Sequence, residues 1–137
     1  MARFNKISAE LLDELRHVLG EKGVTVDPEK LETYQTDEEG NPYWFHTPEV
    51  VVFPKTTEEV AEVIKLANKY VVPITPRAAG SGVACGAIPV YHGIVMELDK
   101  MDQILKIDED NLYAIVQILT MVLCAANPVV SYIVLST

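Results

Sequence analysis

Two short apolar runs, Val50-Val-Val-Phe53 and Val71-Val-Pro-Ile-Thr75, flank a stretch whose polarity repeats with the period of a helix. Val60, Val63, Ile64 and Ala67 recur at i, i+3, i+4 and i+7, the apolar stripe of an amphipathic helix that should end near Tyr70. At its start Thr56 and Glu59 stand three apart, the spacing of a capping box, in which hydroxyl and carboxyl satisfy amides left bare by the first turn. Val50–Phe53 lies between Pro48 and Pro54 and shows no polar alternation, which is how a strand covered on both faces reads. Strand, helix and strand in this order predict a β-α-β unit with parallel strands and a right-handed crossover.

The second of those strands feeds a run of small residues, Pro76-Arg-Ala-Ala-Gly-Ser-Gly-Val-Ala-Cys-Gly-Ala87. Gly80, Gly82 and Gly86 leave almost no side-chain bulk, so backbone N–H groups can approach a ligand closely and converge on an anion. Arg77 adds a permanent charge with a donor fork suited to phosphate or carboxylate. Ligands of open α/β sheets bind at the carboxyl ends of the strands, where this loop starts. The spacing differs from the dinucleotide fingerprint, since Cys85 occupies the last slot and no helical period follows. A nucleotide P-loop is excluded, because no Gly-Lys-Ser/Thr is present. From spacing alone, a turn with no ligand and a diphosphate cradle remain equally open.

The ordered set of elements resembles the FAD-binding domain of FAD-linked oxidases of the vanillyl-alcohol oxidase or PCMH type. The elements are an apolar strand closed by Pro54, the Thr56-Thr-Glu-Glu-Val60 helix, the Pro76–Ala87 loop and Gly93-Ile-Val-Met-Glu-Leu98. The likeness extends to Met101–Asp108, Leu112–Gln117 and an upstream Tyr34-Gln-Thr-Asp37, covering about Ile7 to Gln117. Within that family it is most similar to the glycolate oxidase FAD subunit and D-lactate dehydrogenases. The resemblance implies an α+β fold, an α/β-type unit joined to a small mixed sheet. It implies FAD held by Pro54, Arg77, Ala78, Ala79, Gly80, Ser81, Gly82, Val83, Gly86 and Ala87. It also implies a 2-hydroxy acid as substrate and an electron-transfer subunit as a candidate partner.

Two departures from the family pattern bear on the loop. Ala78, Ala79 and Cys85 stand where relatives usually have glycine, and a residue with a Cβ is strained at positive φ. Ser81 occupies the slot that holds a histidine in relatives with covalent flavin, which favours a non-covalent cofactor.

The rest of the chain divides into an N-terminal helix and connecting segment over 1–47, the partial FAD-binding domain over 48–117 and an apolar tail over 118–137. Ile7 to Gly20 reads as a helix capped by Ser8, with Leu11, Leu15, Val18 and Leu19 on its apolar face, Ile7 and Leu12 at staple positions and Gly20 as its stop. Pro28–Thr33 reads as a short helical turn, and Asp37-Glu-Glu39 as a solvated one. Tyr43-Trp-Phe45 is expected to pack in the core, and His17, His46 and His92 to carry no chemistry. Gly93–Leu98, Ile104–Ile107 and Leu112–Gln117 predict three further strands, the last two joined by an Asp108–Asn111 hairpin turn.

A net charge of −9 argues against nucleic acid as a partner. Cys85 and Cys124 lack metal or redox spacing and suggest reduced thiols in a cytoplasmic setting; no secretory signal or metal site is expected. From Ile118 to Leu135 no charge occurs, yet Asn127-Pro128 interrupts the run. The expectation places a frameshifted or truncated gene end first, a strand pair on the sheet second and a membrane anchor third. Since the resemblance brings no substrate-holding cap onto these residues, no catalytic residue is assigned and the chain alone is expected to lack turnover.

Overall fold

The computed structural model describes residues 4–38, 40–117 and the backbone of 132–135. The first helix, α1 (Ala9–Leu19), starts where the Ser8 hydroxyl accepts from the Leu11 amide at 3.2 Å and stops at Gly20 with φ 74. Leu11 and Leu15 are fully buried, and Ile7, Leu12 and Leu19 pack around them. A two-residue strand, β1 (Val24–Thr25), and the short helix α2 (Pro28–Glu32) follow, with Asp27 capping α2 by accepting from the Glu29 amide.

Strand β2 (Val50–Val52) leads into α3 (Thr57–Tyr70), then β3 (Ile74–Arg77) and, after the glycine loop, β4 (Ile94–Glu97). The capping box forms: the Thr56 hydroxyl accepts from the Glu59 amide at 3.2 Å, while the Glu59 carboxylate accepts from Lys55 N–H at 2.6 Å. The strand order is β1-β2-β4-β3, so β4 lies between the two strands of the expected β-α-β unit and pairs parallel with each. Only β1 runs antiparallel in this sheet. Because side chains alternate across a strand, Val50, Val52, Ile94 and Met96 join α1 and α3 in one core. Val51 and Val95 face the other way, against Leu31 of α2. Cover on both faces explains the unbroken apolar runs.

Two expectations are corrected. The run from Val71 does not begin a strand, because Val71 takes a left-handed conformation (φ 56, ψ 48) and ends α3. Its amide bonds to Asn68 O at 3.3 Å and that of Val72 to Ala67 O at 2.9 Å, a helix exit that glycine usually makes. Strand β3 therefore starts later and takes in Pro76 and Arg77. The aromatic cluster does not pack in the core either. Asn41 caps a 3-10 turn at Pro42–Trp44, which leaves Tyr43 77% and Trp44 42% exposed, stacked edge-on at 4.7 Å.

A second, three-stranded sheet contains β5 (Ile104–Asp108), β6 (Tyr113–Val116) and β7 (Tyr132–Leu135). Strands β5 and β6 form the expected hairpin, with Asp108 Oδ1 accepting from the Asn111 amide at 3.0 Å. Strand β7 pairs parallel with β6, opposing Tyr113 with Tyr132 and Val116 with Leu135. Most of the apolar tail, 118–131, lies outside the described residues. Among the described residues no helix is long and apolar enough to cross a membrane.

Candidate cofactor-binding site

Strands β2, β3 and β4 are parallel, so their carboxyl ends share one edge of the sheet. Pro54, the start of the glycine loop and Glu97 all fall on that edge. Pro54 is fully buried there. Beyond it, the loop carries its small residues outward: Ala79, Ser81, Gly82, Val83, Ala84 and Gly86 are exposed, and Ala78 and Ala87 are half-buried. A Cβ added at Gly86 would meet nothing within 4 Å, and one at Gly82 only Asp37 Oδ2, 3.9 Å away. The outer face of the loop is thus bare backbone fronting open space, which a diphosphate can approach and a side chain would fill.

Gly80 is different. It is buried with φ 66, and a Cβ there would overlap the Arg77 guanidinium. Of the residues that replace the family's glycines, only Cys85 takes positive φ (59); Ala78 and Ala79 do not, so the expected strain falls on one residue.

The Arg77 fork faces inward rather than along the exposed face. It donates to the Thr36 carbonyl at 2.6 Å, lies 5.5 Å from the Tyr34 ring centre and pairs with Glu97, Nε to Oε2, at 3.5 Å. Both partners are nearly closed off, with side chains 13% and 8% exposed. The register places them directly opposite on β3 and β4. Burial pushes the Glu97 carboxyl from 4.5 up to about 7, against the pull of the Arg77 charge; Asp99 pushes it further up, and the Leu98 and Asp99 amides pull it down. Among the described residues Glu97 Oε1 has no hydrogen-bond partner. Burial, then the Glu97 and Asp99 charges, raise the Tyr34 hydroxyl as well. Arg77, Glu97, Tyr34 and Asp99 line a cavity of about 360 Å³ under the first residues of the loop.

Sequence reasoning selected the loop residues and missed Glu97. The signal was a lone acid inside Ile-Val-Met-Glu-Leu, on a strand buried at every position. A larger cavity of about 600 Å³ lies between Leu19, Val24 and Phe53, with Lys22, Lys55 and Lys100 at its rim. No loop residue lines it, so bare amides rather than cavity size locate the site. His92 sits in a turn: φ is 61 and Nδ1 lies 2.8 Å from the Thr47 carbonyl oxygen. Among the described residues no group of three acidic, histidine or cysteine side chains could hold a metal.

The family model described as "FAD binding domain" matches residues 48–118, just over half of the 137-residue chain. A D-lactate dehydrogenase of Anaerostipes hadrus is 35% identical over 84% of this chain and 24% of its own length. The glycolate oxidase subunit GlcD of Bacillus subtilis is 35% identical over 58% of this chain and 17% of its own. Among solved structures, p-cresol methylhydroxylase with substrate bound superposes with a TM-score of 0.68 at 30% identity, over 77% of this chain and 21% of that one. An alkyldihydroxyacetonephosphate synthase shares the fold, with a TM-score of 0.67 at 21% identity. The chain spans about a quarter or less of the length of these curated relatives. With the matched region spanning the β-α-β unit and the glycine loop, the chain belongs to the PCMH-type family of FAD binding domains, with FAD as its cofactor.

Proposed function

We propose that this chain forms the cofactor-binding part of an FAD-dependent oxidoreductase acting on 2-hydroxy acids of the D-lactate or glycolate class. The observation that carries this reading is the run of exposed small residues Ala79, Ser81, Gly82, Ala84 and Gly86, braced from behind by the nearly enclosed Arg77 side chain. Relatives called D-lactate dehydrogenase, D-2-hydroxyglutarate dehydrogenase and glycolate oxidase subunit favour that substrate class. The loop amides hold the diphosphate, and Gly82 and Gly86 keep its approach clear. Bound FAD supplies a hydride acceptor. With Ser81 at the slot of the covalent histidine, the cofactor is held without a covalent bond. A cytoplasmic location and an electron-accepting partner protein belong to the same reading.

The 137 residues alone supply cofactor binding without turnover, since desolvating the flavin ring requires walls beyond this loop. Titrating the purified chain with FAD, followed by flavin fluorescence and absorbance, tests this. Binding should be saturable and should fall at least about tenfold in Gly82→Asp, which puts a carboxylate where the diphosphate sits. A Gly82→Asp chain that binds FAD like the parent sinks the assignment. Measurable oxidation of D-lactate or glycolate by the chain alone would sink the second statement.

A further inference from the structure

We propose that Glu97 sets how much positive charge Arg77 presents behind the diphosphate loop, so that FAD binding is coupled to proton uptake by the Arg77–Glu97 pair. The inference rests on the assignment of the FAD diphosphate to the loop. The guanidinium packs so closely under Gly80 that no Cβ fits between them, which sets a nearly enclosed positive charge against the loop's inner face. While Glu97 is ionised the pair is neutral as a whole, and the loop feels only its dipole. Once Glu97 takes a proton from solvent, the Thr36 carbonyl and the Tyr34 ring still hold Arg77 in place, and its full charge reaches the loop.

The surroundings of Glu97 make that proton easy to add. Its side chain is 8% exposed, and among the described residues Oε1 finds no hydrogen-bond partner. Arg77 on β3 is its ion-pair partner. Asp99 beyond β4 opposes its ionisation, its midpoint is about 7, and the Tyr34 hydroxyl senses its charge from the turn after α2. Asp37, on the segment after Tyr34, is buried rather than solvated as the sequence suggested, and its carboxylate lies close to Gly82. An incoming diphosphate brings two more negative charges to this acid-lined edge, and each raises the preference for a protonated Glu97.

The experiment is calorimetric titration of the full chain with FAD from about pH 6 to about pH 8, in buffers of different ionisation heat, for the parent, Glu97→Gln and Gly82→Asp. The parent should bind about tenfold tighter at the acid end, with up to about half a proton taken up near neutrality. Glu97→Gln, neutral at every pH, should bind at the acid-end affinity throughout and take up no proton. A pH step that persists in Glu97→Gln, or weaker binding by that variant at all pH values, overturns the proposal. Should Glu97→Gln fail to fold, the heats of the parent decide: binding without proton uptake near pH 7 sinks the idea. Failure of the cofactor reading looks different, because Gly82→Asp would then match the parent or the parent would bind no FAD.

Discussion

The two sheets are woven from similarly apolar strands and end in opposite surroundings. Strands β2 and β4 are buried at every residue, whereas Ile104, Leu105 and Ile107 of β5 are 46–50% exposed. Composition does not make this difference; neighbours do. Strand β4 has a parallel partner on each side, helices α1 and α3 over one face and α2 over the other. Strand β5 pairs only with β6 among the described residues and edges its sheet, and a register shift between Ile104 and Lys106 breaks its ladder. An apolar run thus reports a capacity for burial, which pairing order and helix cover then use or leave unused.

Truncation of matched isoleucines sharpens the contrast most. Ile94→Ala should cost about 4 kcal/mol, the lost transfer energy plus an unfilled cavity, while Ile107→Ala should cost under about 1 kcal/mol. Urea midpoints of the two variants measure the gap, and equal losses would erase the distinction between the sheets.

The buried acid at the end of β4 comes next. The folded chain raises Glu97 from 4.5 to about 7, so folding favours its protonated form. Its contribution is complete below pH 4.5 and disappears as pH climbs through 7. The full gap amounts to at most about 3 kcal/mol, and Glu97→Gln should keep that stability at high pH. Unfolding curves of parent and variant that stay parallel between about pH 5 and about pH 8 would contradict this. On the helix that covers the first sheet, Thr56→Ala removes the cap on the Glu59 amide and should cost about 1 kcal/mol, read as a lowered thermal midpoint. The smallest effect is expected at the open edge, where Leu105→Lys should shift stability by no more than about 0.5 kcal/mol and reduce self-association in light scattering.

Much of this was legible in the residues. Ser8, Thr56 and Gly20 mark helix ends that the structure places within a residue or two, because capping chemistry is local. The glycine run marked the loop for the same reason. Tertiary pairing was not written locally. Val71 and Val72 look like strand and instead terminate α3, since the strand can join β4 only after the chain has turned. The inward face of Arg77 was equally hidden, because it depends on Glu97 arriving opposite from twenty residues downstream.

Pro76 has a consequence for what can be built onto this edge. The Pro73 and Arg77 carbonyls accept from Ile94 of β4 and from Leu98 just after it, so alternation turns the backbone groups of Ile74 and Pro76 away from β4. At the outward position nearest the loop the ring offers no N–H, and the ladder cannot be continued by another strand there. Whatever meets the sheet from that side must therefore do so through side chains, as an abutting surface rather than a spliced one.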